Sequence, residues 1–152
     1  MTTPPALVPI ADLLVEVGAP LDIGETGIGV RRIVPIIGGR VAGRLNGAVL
    51  AGGADWQLLR ADGMTEVEAR YTLALADGAL VYIENAGIRH GPPEAMERLR
   101  RGEPVDPALI YFRTVARFET AAPHYAWLTR MLVIGVGARR PTRVEIALFA
   151  VE

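Results

Sequence analysis

The chain has 152 residues, 51% of them hydrophobic, and a formal net charge of −1. That length suits one domain able to bury a substantial core, and so small a charge offers no global field for nucleic acid or an anionic membrane. The absence of cysteine excludes disulfides, thiolate metal sites and cysteine nucleophiles, and fits a reducing cytoplasm.

The first residues, "MTTPPALVPIADLLVEV", lack a basic segment followed by a long apolar one, so no signal peptide is expected. No apolar run reaches membrane-spanning length, and the expected location is the cytoplasm. Seventeen glycines and eleven prolines are spread through the chain with short apolar segments between them, the rhythm of many strands joined by turns. Strands are expected at residues 13–17, 32–37, 46–50 and 56–60. Between the first two lies "GETGIG", residues 24–29. It lacks the Lys-Ser/Thr ending of a phosphate loop and precedes a strand-like run, so it reads as a strand connection.

Residues 52–56, "GGADW", admit two readings. Asp55 caps a turn, a common use of aspartate, or the glycine pair bends the chain inward and sets Asp55 and Trp56 at a pocket. The next segment is the clearest in the chain. Val67, Ala69, Tyr71, Leu73 and Leu75 alternate, Asp77-Gly78 follows, and Leu80, Tyr82 and Ile83 continue beyond it. Asp-Gly suits a two-residue type I′ turn, which places Leu73 opposite Tyr82, Tyr71 opposite Glu84 and Arg70 opposite Asn85. "PEAMERLRRG", residues 93–102, reads as the one helix, with proline and glutamates at its start and arginines and glycine at its end. Further strands are expected at 110–118, 131–136 and 143–151, with a single turn at 122–129. Arg98–Arg101 and Arg139–Arg143 read as solvated surface rather than a phosphate track.

The expected architecture is all-β: residues 1–152 form one antiparallel closed barrel of about 8–10 strands with one short helix between strands. A sandwich is the alternative. His90 and His124 are far apart with no HxH or HExxH spacing, so no metal site is expected. With neither serine nor cysteine, serine and cysteine triads are impossible. The candidates left are acids, arginines and aromatics. Arg113 and Glu119, six residues apart on one strand, share a face, where they either pair with each other or line a site. Tyr125 and Trp127 either pack in the core or form a stacking wall.

Three stretches, "GVRRIVPIIGGRVAGRLNGAVLAGGADWQ", "EARYTLALADGALVYIENAGIR" and "YFRTVARFETAAPHYAWLTRMLVIGVG", resemble in series the domain-of-unknown-function family 3237. The resemblance implies a single β-barrel with a central cavity. Some fungal members are linked to ring-forming steps on small aromatic molecules. The family pattern falls on Gly52, Gly53, Asp55, Trp56, Arg70, Tyr71, Asn85, Arg113, Glu119, Tyr125 and Trp127 among others. Arg44 and Ala51 stand where proline is common, and Thr129 where the family usually shows asparagine.

The functional expectation is a small-molecule-binding barrel, cofactor-free, acting as an acid/base catalyst of cyclase or isomerase type on an aromatic or enol-type metabolite. Asp55 and Arg70 are the catalytic candidates, with Asp55 held ionised by nearby arginine and acting as base. Trp56, Tyr71, Asn85, Arg113, Glu119, Tyr125 and Trp127 are the ligand-binding candidates. The alternative is a non-catalytic ligand carrier or an oligomeric interaction protein. Expected partners are a ligand in the cavity and further copies of the chain, as a homodimer or higher homo-oligomer, with no nucleic acid and no membrane.

Overall fold

A computed structural model describes residues 2–152. Ten strands form one antiparallel sheet: β1 (Leu7–Val17), β2 (Leu21–Thr26), β3 (Gly29–Gly43), β4 (Gly47–Val49), β5 (Ala54–Leu59), β6 (Thr65–Leu75), β7 (Leu80–His90), β8 (Tyr111–Thr120), β9 (Val133–Arg139) and β10 (Arg143–Val151). The sheet closes because β1 pairs with β10 on one side and β3 on the other. The staves run β1, β10, β9, β8, β7, β6, then β4 and β5 end to end, then β3, making an eight-position barrel. β2 extends beyond it as a hairpin on the first half of β3. Closure removes most of the free edges that an open sheet leaves.

Alternation decides what lies inside. Val67, Tyr71, Leu73 and Leu75 of β6 are buried, and so are Val81, Ile83, Asn85 and Arg89 of β7 and Phe112, Thr114, Ala116 and Phe118 of β8. Period-two patterns place each such set on one face, here the interior. The core concentrates towards one end, around Leu45, Leu73, Val81, Ile83, Leu128, Val133 and Leu148. A 3₁₀ segment, Pro123–Arg130, closes that end with Leu128 inserted.

The other end carries helix α1 (Pro93–Arg100), between β7 and β8. Its proline start, Glu94 in the first turn and Arg98 and Arg100 in the last follow the helix-end rules. Gly102, at φ +76°, turns the chain away while Glu103 N–H bonds to Arg98 O at 3.0 Å. Ala95 and Leu99 pack with Val105, Met96 and Ile110 in a cluster of their own, separate from the barrel core.

The β6–β7 hairpin departs from the sequence expectation by one residue. Leu75 N–H bonds to Ala79 O at 2.8 Å and Gly78 N–H to Leu75 O at 2.9 Å. The loop is therefore three residues, Ala76, Asp77 and Gly78, with Gly78 alone at positive φ, +92°, a tight turn followed by a bulge glycine. Arg70 consequently pairs with Glu84, Tyr71 with Ile83 and Ala69 with Asn85. A shift of one exchanges faces: Asn85 joins the Tyr71 face, and Arg70 falls on the opposite one.

Candidate functional site

The glycine pair before Asp55 does bend the chain. Gly52 sits at φ +108°, a conformation β-carbon-bearing residues rarely adopt. A Cβ on Gly53 would overlap Arg70 O and come to 2.7 Å from Tyr71 Cβ, so glycine there lets β5 begin against β6. Asp55 and Gln57 then point into the barrel and Trp56 points out. Asp55 Oδ1 accepts a hydrogen bond from Glu68 N–H at 3.0 Å, and Oδ2 accepts one from Gln57 Nε2 at 2.8 Å.

Around this carboxyl group lies a small inner chamber of about 30 Å³. Its polar lining is Asp55, Gln57, Tyr71, Asn85, Thr114 and Arg139, and the rest is largely aliphatic. Tyr71 Oη, Asn85 Oδ1, Thr114 Oγ1 and Arg139 Nη1 are buried without a hydrogen-bond partner. Asn85 is only 2% exposed. Glycines make the room: a Cβ on Gly135 would overlap Thr114 Oγ1, and one on Gly137 would sit 2.7 Å from the Phe112 ring. On the far side of Gln57 is a wider opening of about 500 Å³ between the barrel rim and α1, lined in part by Arg32, Leu59, Met64, Arg89 and Met96. Gln57 borders both spaces.

Burial raises the Asp55 pKa above the ordinary carboxylate value, outweighing Gln57, Arg89, the Glu68 N–H and Arg139, all of which favour the anion. The nearby arginines favour the anion, as the sequence reading expects, but burial acts against them and is the larger influence. Desolvation exceeds a charge attraction that is shared and incomplete. Burial also pushes the Tyr71 phenol up; the Asn85 amide beside it, which makes no well-formed hydrogen bond to Oη, offsets part of this and the Asp55 charge adds to it. Tyr71 thus remains a hydrogen-bond donor at any ordinary pH. Arg89 is drawn down to about 10, first by burial, with Arg139 and Arg32 adding repulsion and Asp55 opposing.

Of the nine candidate residues, the structure brings Asp55, Tyr71 and Asn85 together in one chamber. Arg70 is on the outer surface, bound to Glu68 at 2.6 Å and 5.8 Å from the Trp56 ring centre. Trp56 lies on the outside with it. Arg113 also faces outwards, donating to Phe112 O at 2.9 Å and lying 5.1 Å from the Tyr111 ring centre. Glu119 is exposed on the same outer face, level with Tyr82. Arg113 and Glu119 do share a face, but the inward residues of β8 are Phe112, Thr114, Ala116 and Phe118. Tyr125 and Trp127 sit at the closed end. Tyr125 Oη donates to Asp77 Oδ2 at 2.7 Å, and the Arg44 guanidinium stacks 4.0 Å from the Trp127 ring centre. Thr129 is exposed there too, donating to Ala126 O at 2.7 Å, so the position where the family shows asparagine does not reach the chamber.

Sequence reasoning missed Gln57, Arg89, Thr114, Arg139 and Arg32. The alternation contained the signal for four of them. Gln57 is two residues beyond Asp55, Arg89 four beyond Asn85, Thr114 two beyond Phe112, and Arg139 continues Val133, Gly135 and Gly137. Among the described residues, no three His, Asp or Glu side chains gather at metal-binding distance. The chain has no lysine, all sixteen basic residues being arginine, so imine formation has no side-chain amine. What the chamber offers is one buried carboxyl group, one phenolic donor, amide and hydroxyl groups, and guanidinium charge at the entrance.

The model of the family described as "Protein of unknown function (DUF3237)" matches residues 5–151. A UPF0311 protein of Bradyrhizobium diazoefficiens is 53% identical over 131 residues, covering 86% of each chain. The crystal structure of a conserved protein of unknown function from Rhodopseudomonas palustris matches with a TM-score of 0.94 and 45% identity over the whole of both chains. An enzyme from Penicillium herquei matches with a TM-score of 0.75 at 18% identity, over 100% of this chain and 98% of its own, a likeness of fold alone. This chain is a member of the DUF3237 family.

Proposed function

We propose that the barrel binds a small, flat organic molecule at its open end and moves a proton on it without a cofactor. The observation that carries this reading is the set of buried, unpartnered polar atoms of Tyr71, Asn85 and Thr114 beside the Asp55 carboxyl group. Buried polar atoms are normally hydrogen-bonded, and such groups converging in one apolar chamber are the usual form of a ligand site. The body of the ligand occupies the wider opening, and one carbonyl or hydroxyl end passes Gln57 into the chamber.

Held there, a carbonyl oxygen accepts from Tyr71 Oη while Asp55 takes a proton from the adjacent carbon. The C–H bond breaks, its electron pair forms the new carbon–carbon double bond, the carbonyl π pair moves to the oxygen as an enolate, and Asp55 becomes protonated. Return of that proton to a different atom isomerises the ligand; attack of the enolate carbon on a neighbouring carbonyl carbon of the same ligand closes a ring instead, the π pair of that carbonyl moving to its oxygen, which takes the proton back from Asp55. A carboxylate raised in pKa by burial is a stronger base than a solvated one, which suits this exchange. Asp55, not Arg70, has the position for it.

A flat ketone, 4-hydroxyacetophenone, tests this. In D₂O the protein accelerates deuterium uptake at the methyl group next to the carbonyl, and Asp55→Asn abolishes the acceleration while the circular dichroism spectrum is kept. Binding by thermal shift without deuterium uptake favours the second reading, a carrier. The observation on its side is that Asp55 already serves the fold by accepting from Glu68 N–H and Gln57.

A further inference from the structure

The proton transfer described above makes no use of the arginines at the open end. Arg32 of β3, Arg89 of β7 and Arg139 of β9 approach it from three strands. The rim arginines are paired: Arg60 with Asp62 at 2.6 Å, Arg100 with Glu97 at 3.9 Å, and Arg32 with Asp22 at 3.3 Å. Among the described residues, Arg89 and Arg139 have no ion-pair partner. Arg89 is 7% exposed, its Nε is buried without a hydrogen bond, and its guanidinium lies 5.3 Å from the Phe112 ring centre. Arg139 Nη1 is buried and unpartnered at the wall of the inner chamber.

The charge is therefore unbalanced. Two unpaired guanidiniums, that of the buried Arg89 and that of the half-buried Arg139, face a single buried carboxyl group, Asp55, leaving at least one positive charge without compensation. Buried charge is costly unless paired and hydrogen-bonded. Here the guanidiniums also repel each other, and Arg89 is drawn down by burial and by its arginine neighbours.

We infer that the ligand is a monoanion whose carboxylate is taken by Arg89 and Arg139 at the open end, with its uncharged hydroxyl or carbonyl end directed towards Asp55 and Tyr71. The second half of that placement rests on the function proposed above; the anion site stands on the arginines. A carboxylate suits the place better than a phosphate. The planar guanidinium fork matches two carboxylate oxygens, and one such charge suffices to balance a pair of guanidiniums beside Asp55. Of the rim carboxylates, Asp62 and Glu97 are taken by Arg60 and Arg100, and Glu25 is left to disfavour a dianion. The apolar stems of Leu59, Met64 and Met96 suit a flat body behind the carboxylate.

Calorimetric titration of the whole chain with 4-hydroxybenzoate, its neutral methyl ester and inorganic phosphate tests the inference. The acid should bind at least about 10-fold tighter than the ester, the size of one lost charged hydrogen bond, and phosphate at the same concentration should not displace it. Arg139→Gln and Arg89→Gln should each abolish the preference for acid over ester. Equal affinity for acid and ester in the unaltered protein overturns the inference with no variant needed. So does a preference that survives both substitutions, displacement by phosphate, or binding of neither aromatic probe at millimolar concentration. Tyr71→Phe separates the two claims. If the acid preference persists and neither probe notices Tyr71→Phe, the anion site holds and the chamber reading fails. If the ester equals the acid and Tyr71→Phe weakens both, the chamber reading holds and the anion site falls.

Discussion

Two aspartates of this chain carry opposite pKa shifts, and each makes a prediction of its own. Burial raises Asp55 above its ordinary value, so the folded state holds that proton more tightly than the unfolded chain. Linkage then requires stability to fall as pH rises from the unfolded pKa, near 3.8, through the folded one, and to level off above it. Asp55→Asn removes this loss. Its melting temperature relative to the unaltered protein should climb as pH rises through that window, and a pH-independent difference would show that the carboxyl group is not desolvated. Asp77 is the reverse case. Tyr125 Oη, the Ala79 N–H and His124 hold it down to about 2, so its stabilisation is complete above the ordinary aspartate value and is lost as pH falls towards 2. Asp77→Ala should lower the melting temperature at neutral pH and cost progressively less in acid. This clasp ties the β6–β7 turn to the 3₁₀ segment at the closed end, which is why it uses residues that sequence reading had placed at a ligand wall.

Among the elements, the β6–β7 hairpin shows what could and could not be read beforehand. The alternation from Val67 to Leu75 marks one apolar face without ambiguity, and Asp77-Gly78 marks the reversal. Loop length is another matter: Asp-Gly serves a two-residue turn and also the last two positions of a three-residue one. The one-residue difference moved Asn85 from the face of Arg70 to that of Tyr71. Likewise, the even spacing of Arg113 and Glu119 identifies a shared face of β8, but only the burial of Phe112 and Phe118 says which face is inside. Long polar side chains were therefore assigned inwards where the barrel puts Thr114 and small or aromatic residues. The glycines give sharper tests. Space around Gly78 is open, so any cost of substitution is in the backbone: Gly78→Val should destabilise by about 1–3 kcal/mol and Gly78→Asn by clearly less. Gly135→Ala should cost about 1–3 kcal/mol through overpacking against Thr114. In Thr114→Ala the same substitution should be much cheaper, giving a coupling that urea denaturation of the four proteins would measure.

For the whole molecule, the two barrel ends differ in kind. One is filled by Leu45, Leu73, Ile83 and Leu128 and sealed by the 3₁₀ segment, with every large buried side chain there apolar. The other keeps Asp55, Tyr71, Asn85, Thr114, Arg89 and Arg139 near a helix that packs on Val105 and Ile110 of the segment following it rather than on the barrel core. A barrel selected only for stability has no use for unpaired guanidiniums and unbonded amide and hydroxyl groups in its interior, since aliphatic side chains of similar volume would hold it as well. The central claim, that this end is where a small molecule binds, is tested most directly by a crystal grown with 4-hydroxybenzoate and solved at a resolution that fixes its orientation. The structure predicts the ligand at the mouth beneath α1, its hydroxyl end within hydrogen-bond distance of Asp55 or Tyr71 and its carboxylate against Arg89 and Arg139. Density for the ligand on the outer face beside Trp56 and Arg70, or at the closed end beside Tyr125 and Trp127, with the inner chamber unchanged, would contradict it.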